Sequence, residues 1–327
     1  MDAPIRWGIA ATGRIAAQFA TGIAALDDGV VAAVGSRSAE RAAAFAAEHG
    51  IARSHASYAA LAADPDVDVV YVASPHAFHE ADTLLCLDAG KPVLCEKPLA
   101  LSAAQAGRMV ARARERGLFL MEAIWSRFLP AYVELRRLLD AGAVGPPRLV
   151  EADFGFRAPV DPAHRLFAPG LGGGALLDLG IYPLQLASLV LGPPSRVTAV
   201  GHLGETGVDE LVTVACDHPG GAVGVAKAAI RVALPCTARI SGEDGWIGLP
   251  AFMHTPLHLD VGGPDGAVER IDCPYDGVGL RFEAVEVHRC LRAGLTESPV
   301  VPLDESLALA ATMDAARAAI GLRYPGE

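Results

Sequence analysis

The chain has 327 residues, 52% hydrophobic and 20% charged, a globular composition, and single cores seldom grow past roughly 250–300 residues, so two domains are expected. Its formal charge is −11, and the nearest thing to a basic run (Arg108, Arg112, Arg114, Arg116) is interleaved with Ala and Glu115 as on a solvated helix face, which argues against nucleic-acid binding. Cys86, Cys95, Cys216, Cys236, Cys273 and Cys290 show no C-x-x-C spacing; they read as reduced thiols of a cytoplasmic protein, without a disulfide frame or zinc site.

Residues 5–11 form a short apolar run ending in a small-residue turn, and Ile15, Phe19, Ile23 and Leu26 follow at helical spacing until Gly29. Residues 30–34 are a second β-branched run. Ser38 then opens a helix closed by Gly50, as Ser and Gly commonly do. Residues 67–73 are the clearest buried strand; a helix over 78–89, a strand at 93–95, a helix from the Ser102/Gln105 capping box to Gly117 and a strand at 118–121 complete the series. Alternation of this kind means a parallel sheet covered on both faces, with ligands beyond the carboxyl ends of its strands. After about residue 123 the pattern changes. A helix over 131–141 precedes strand-like segments at 149–156, 196–203, 209–217, 221–232, 237–242 and 257–261, and helices over 280–293 and 304–320 close the chain. The expectation is a doubly wound α/β domain, 1–122, followed by an α+β domain, 123–327, with a large, open, mostly antiparallel sheet.

The first strand-to-helix turn reads Gly8-Ile9-Ala10-Ala11-Thr12-Gly13-Arg14-Ile15-Ala16. The dinucleotide fingerprint G-x-G-x-x-G/A maps onto Ala11, Gly13 and Ala16, so the turn suits a pyrophosphate at a helix N-terminus, with Ala in the first glycine's place. The second strand ends in Ser36-Arg37 and carries no acid for ribose hydroxyls. Ser36, Arg37 and, one turn on, Arg41 suit a 2′-phosphate, which favours NADP over NAD.

Two further segments carry chemistry. Gly90-Lys91-Pro92-Val93-Leu94-Cys95-Glu96-Lys97-Pro98 places Glu96 and Lys97 just past a parallel strand, where an ammonium favours alkoxide or phenolate character nearby. Gly172-Gly173-Gly174 opens a helical segment that is apolar to Leu191 except at Asp178, Tyr182, Gln185 and Ser188. The first three fall at i, i+4 and i+7, a polar stripe that suggests a lined cavity. With Glu96-Lys97-Pro98 and Asp178-x-Gly180-x-Tyr182, the chain resembles the glucose–fructose oxidoreductase/inositol dehydrogenase (Gfo/Idh/MocA) family. Segments 121–130, 279–284 and 297–303 are similar to its dihydrodiol/xylose dehydrogenase branch.

The resemblance implies a Rossmann domain and a C-terminal open sheet whose outer face joins a homodimer or homotetramer. It implies Lys97 and Tyr182 as the catalytic pair, with Asp178 on a substrate hydroxyl. Ala11, Thr12, Gly13, Arg14, Ile15, Ser36, Arg37, Arg41, Ser74, Pro75, His76, His79, Glu96, Lys97, Trp125 and Arg127 would lie toward the cofactor. Trp125, Phe154, Asp178 and Tyr182 would line the substrate pocket. The expected activity is NAD(P)-dependent hydride transfer between nicotinamide and a carbonyl or secondary alcohol of a sugar, polyol or dihydrodiol. The alternatives are a keto-sugar reductase or a non-catalytic NADP-binding regulator; the latter has no use for Lys97 with Tyr182. His76 and His79 lack the carboxylate or Cys that would complete a metal site, and no metal is expected. Residues 9–26, the most apolar window considered, contain Arg14 and Gln18, and the N-terminus lacks a signal-peptide pattern, so neither a membrane span nor a targeting segment is expected.

Overall fold

The computed structural model describes residues 3–325, which contacts divide into two units. The first holds residues up to 100, 104–128 and 276–306; the second holds 101–103, 129–275 and 307 onward. The chain therefore returns to the first unit after the point where 123–327 was expected to form one domain.

In the first unit, β1 (Ile5–Ala10), α1 (Arg14–Ala24), β2 (Gly29–Gly35), α2 (Ala39–His49), β3 (Arg53–His55), α3 (Tyr58–Ala62), β4 (Val69–Val72), α4 (His79–Asp88), β5 (Val93–Glu96), α5 (Ala103–Arg116) and β6 (Leu120–Ala123) alternate. All six strands are parallel, in the order β3-β2-β1-β4-β5-β6. Strands β4, β5 and β6 are buried along their length because helices cover both faces. The order reverses at β1, which opens a crevice at the carboxyl ends of β1 and β4. Ser38 caps α2 by accepting the Arg41 N–H at 3.3 Å, and Gly50 ends it in the left-handed conformation. The strand β3 escapes the sequence pattern because it is a three-residue polar edge, Arg-Ser-His.

In the second unit, α6 (Pro130–Asp140) and β7 (Pro147–Gly155) lead through a long loop to a helical segment containing α7 (Ile181–Leu191). Then come β8 (Arg196–Leu203), β9 (Asp209–Asp217), β10 (Val223–Ala229), β11 (Ala238–Gly242), β12 (Trp246–Leu249), β13 (His258–Gly262) and β14 (Val268–Asp272). The eight-stranded sheet runs β14-β13-β12-β11-β7-β10-β9-β8, with β7 and β10 parallel and every other pair antiparallel. Alternate residues face inward: Val212, Val214 and Cys216 on β9, Ala226 and Ala228 on β10, Val150 and Ala152 on β7 are all buried. Gly224 brings α7 close, since a Cβ there would stand 3.2 Å from that of Ala187. The sequence pattern lacks β12, cut short between Gly245 and Pro250, and β14, an exposed charged edge. Residues 169–191 are long and apolar enough to cross a membrane, which residues 9–26 are not, but 78% of that window is buried inside the structure.

Two helices close the chain, α8 (Arg281–Arg292) and α9 (Leu303–Ile320). Helix α8 belongs to the first unit, where Gly22 admits it so closely that a Cβ would lie 3.3 Å from the Arg281 nitrogen. The His288 ring, 1% exposed, accepts the Trp7 indole N–H at Nε2 (2.9 Å) and donates from Nδ1 to Asp28 (3.1 Å). Trp7 in turn meets Phe19 edge-on, and Phe19 stacks on Tyr71 at 3.8 Å.

Candidate active site

In the first unit the expected residues gather along one edge. Ala11 to Ile15 follow β1, Ser36 and Arg37 follow β2, Ser74 to His76 follow β4, Lys97 follows β5, and Trp125 follows β6. Ala11 has φ 140°, a conformation that L side chains rarely adopt and that glycine takes without strain. Gly13 precedes α1 without any side-chain cap, and nothing lies within 4 Å of where its Cβ would be. The first N–H groups of α1 and the open space over Gly13 therefore fit a pyrophosphate. Arg37 is exposed and sits 5.0 Å from the centre of the Phe78 ring, with no carboxylate among the described residues within ion-pair distance of its guanidinium. Ser36 is buried and its Oγ accepts the Ser38 N–H at 3.2 Å. Arg41 is exposed on the first turn of α2. This donor set fits the phosphates of a dinucleotide.

Three residues expected beside the cofactor hold other parts of this unit together. His79 is fully buried, with Nδ1 2.8 Å from the Pro98 carbonyl oxygen and Nε2 2.8 Å from that of Ser74. Burial pushes its pKa down. It ties the residue after Lys97 to the end of β4. Arg127, 1% exposed, is bonded to Glu305 at 2.6 Å. Glu96 is buried, accepting the Tyr71 hydroxyl and the Lys97 N–H, so it shapes the turn that presents Lys97. Glu122 accepts the Leu99 N–H at 2.8 Å, and burial raises its carboxyl to about 7. The Lys97-Pro98 peptide is cis.

In the second unit Tyr182 comes together with Phe154, and Asp178 lies four residues before Tyr182, but not on an ordinary helix. Leu176–Gly180 is a π-turn that passes directly into α7. Such a turn is wider than an α turn, so the i, i+4, i+7 stripe does not carry over. The widening lies just ahead of Pro183, which has no N–H for the Leu179 carbonyl and whose ring would clash with it in a regular helix. Gln185 leaves the stripe: it is fully buried and donates to the Tyr132 hydroxyl at 3.3 Å, which donates to the Met253 carbonyl at 3.1 Å.

Asp209 fixes the start of this segment. It is fully buried, accepts the Leu176 N–H at 2.7 Å, and burial raises its carboxyl to about 7. Gly174, at φ +119°, is required beside it, because a Cβ would fall 2.1 Å from its Oδ1. The Tyr324 hydroxyl anchors the same turn by donating to the Gly173 carbonyl at 2.6 Å.

Two site residues lie outside the sequence motifs. Arg165 pairs with Asp178 at 2.9 Å. His254 stacks on Phe154 at 4.4 Å and lies 5.0 Å from Tyr182, while Phe154 and Tyr182 are 5.5 Å apart. Both sit in segments without regular structure, where no periodicity singles them out. Among the described residues no group of three or more His, Cys, Asp or Glu is placed to hold a metal.

Family models agree with the two-part organisation. Residues 5–124 match the oxidoreductase family with an NAD-binding Rossmann fold, and residues 132–248 match the GFO/IDH/MocA C-terminal domain. The chain is 43% identical to a human trans-1,2-dihydrobenzene-1,2-diol dehydrogenase, over 99% of both chains. It is 41% identical to one from Xenopus laevis, over 98% of this chain and 99% of the other. Among solved structures it is similar to an aldose-aldose oxidoreductase from Caulobacter crescentus, with TM-score 0.88 and 27% identity over 97% of each chain. A 3-ketoreductase from Actinomadura kijaniata, solved with NADP and TDP-benzene, gives TM-score 0.86 and 28% identity over 97% of this chain and 98% of that one. The chain belongs to the GFO/IDH/MocA family and is an NAD(P)-dependent oxidoreductase acting on CH–OH groups.

Proposed function

We propose that the protein uses NADP(H) in preference to NAD(H) to interconvert a secondary alcohol and a carbonyl on a sugar, polyol or dihydrodiol. The observation that carries the substrate side is Tyr182, four residues after Asp178, with its ring 5.5 Å from that of Phe154 and 5.0 Å from that of His254. An apolar wall next to a carboxylate suits a ring that bears hydroxyls. The relatives named as dihydrodiol dehydrogenases, an aldose oxidoreductase and a 3-ketoreductase support that substrate class. Exposed Arg37 at the end of β2, with Ser36 where NAD sites offer an acid, supports the 2′-phosphate.

When bound, the cofactor supplies the hydride donor or acceptor. Tyr182 gives its hydroxyl proton to the substrate oxygen in reduction and recovers it in oxidation. A tyrosine hydroxyl ordinarily titrates near 10. The Lys97 ammonium, at the turn after β5, favours oxyanion character in a reacting oxygen. Asp178 orients a neighbouring hydroxyl. Pro75, His76 and Trp125 complete the nicotinamide side. Exposed Val200 and Leu211 on the outer face of β8 and β9 support self-association through the sheet, which light scattering measures.

The test is a fluorescence titration with NADPH and NADH, then a panel of sugars, polyols and dihydrodiols followed at the nicotinamide absorbance. Tighter NADPH binding is expected, and Tyr182→Phe should lower kcat by roughly 100-fold or more while NADPH affinity holds. Full turnover by that variant would remove Tyr182 as the proton donor. Preference for NADH would overturn the role given to Ser36 and Arg37.

A further inference from the structure

Arg165 lies in the loop between β7 and the π-turn, but its position is built in. Gly173 packs so closely on the Arg165 and Leu166 carbonyl oxygens that a Cβ would stand 2.7 Å from each. The Leu166 carbonyl accepts the Gly174 N–H at 2.9 Å, and Leu166 and Phe167 are both buried. The loop is thus seated on the same glycine turn that opens the Asp178 and Tyr182 segment. From there the guanidinium reaches Asp178 Oδ1 at 2.9 Å, with 46% of the side chain exposed against 7% for Asp178.

A carboxylate accepts hydrogen bonds and a guanidinium donates them, five N–H groups in a rigid fork. Side by side, one turn before Tyr182, they form a donor beside an acceptor. A vicinal diol is complementary to that pair: one hydroxyl donates to Asp178 while the oxygen of its neighbour accepts from Arg165. A mono-alcohol satisfies only half of it.

We propose that Arg165 is a specificity-determining residue that, with Asp178, selects substrates carrying an oxygen on the carbon next to the reacting one. The inference rests on the substrate class proposed above.

The experiment compares racemic trans-1,2-cyclohexanediol with cyclohexanol in wild type, Arg165→Leu and Arg165→Lys, with NADP. A hydrogen bond to a charged group corresponds to roughly 10- to 100-fold, so Arg165→Leu should cut the diol-to-monoalcohol ratio of kcat/KM by at least 10-fold, chiefly through the diol. Arg165→Lys, which keeps the charge but not the fork, should restore part of it. NADPH titration of each variant confirms that the fold and cofactor site persist. Equal losses on both alcohols would reduce Arg165 to a structural role and overturn the proposal, as would an unchanged ratio. If wild type oxidises neither alcohol, the substrate class has failed for these compounds. Diol and monoalcohol binding to the NADP complex, measured by fluorescence, then decides Arg165 separately: diol affinity unaltered by Arg165→Leu would overturn it.

Discussion

The strained residue in the cofactor turn is Ala11, at φ 140° where the family fingerprint has glycine. Residues held in such regions cost of order 1–3 kcal/mol, whereas glycine adds about 0.5–1 kcal/mol of chain entropy to folding. Ala11→Gly should therefore stabilise the fold by about 1 kcal/mol in urea unfolding and leave NADPH affinity intact or improved; a clear loss of stability would show that the Ala11 methyl packs more favourably than its backbone is strained. Legibility at this scale followed local chemistry. Gly13, Arg37, Lys97 and Tyr182 stood out because each belongs to a short motif read along the chain. His79 and Arg127 were legible as residues near the site, but their roles were not, since a fully buried ring between two carbonyls and a guanidinium spent on Glu305 are set by partners 5 to 178 positions away. Arg165 and His254 had no motif at all, because their meaning lies in Asp178 and in two aromatic rings contributed by other segments.

Strands and helices were legible wherever burial imposes a period. The runs at 196–203 and 209–217 coincide with β8 and β9, and on β9 alternate residues face a core and an open face. Periodicity could not reveal the π-turn, which differs from an α turn by one residue per hydrogen-bonded loop. Its start depends on Asp209, whose pKa burial raises to about 7 against roughly 3.9 in an unfolded chain. The folded state thus holds a proton that the unfolded state gives up, and the stabilisation from this group, full below about pH 4, is lost as pH rises through about 7. Asn keeps an acceptor for the Leu176 N–H but does not titrate. Asp209→Asn should therefore compare better with wild type at pH 8 than at pH 5 in urea unfolding; a difference independent of pH would mean that Asp209 is ionised in the folded protein throughout.

At the scale of the molecule the parallel sheet and the large mixed sheet were both legible, and the route of the chain between them was not. Helix α8 reads as one more amphipathic helix after residue 280; partners far away in sequence, Trp7, Asp28 and Gly22 among them, assign it to the first unit. Burial pushes the His288 pKa down, so below about pH 6.5 the unfolded chain takes up a proton that the folded one resists, and stability falls as the solution is acidified. Fully buried His79 acts in the same direction. Between pH 8 and pH 5.5 the urea midpoint of wild type should fall more steeply than that of His288→Gln, which starts lower because it weakens the link to Trp7. Parallel slopes would exclude His288 as a titrating group.

The bond from Trp7 to His288 spans 281 positions, and this has a consequence for birth on the ribosome. Domains are usually completed in the order in which they are translated, at about 5–20 residues per second. Here the amino-terminal sheet emerges first but stays unsealed until α8 follows, so the second unit's strands are all synthesised while the cofactor-binding unit still lacks a piece of its wall. A nascent chain arrested before residue 281 should leave the Trp7 side of that unit open to proteases, and release of α8 should close it.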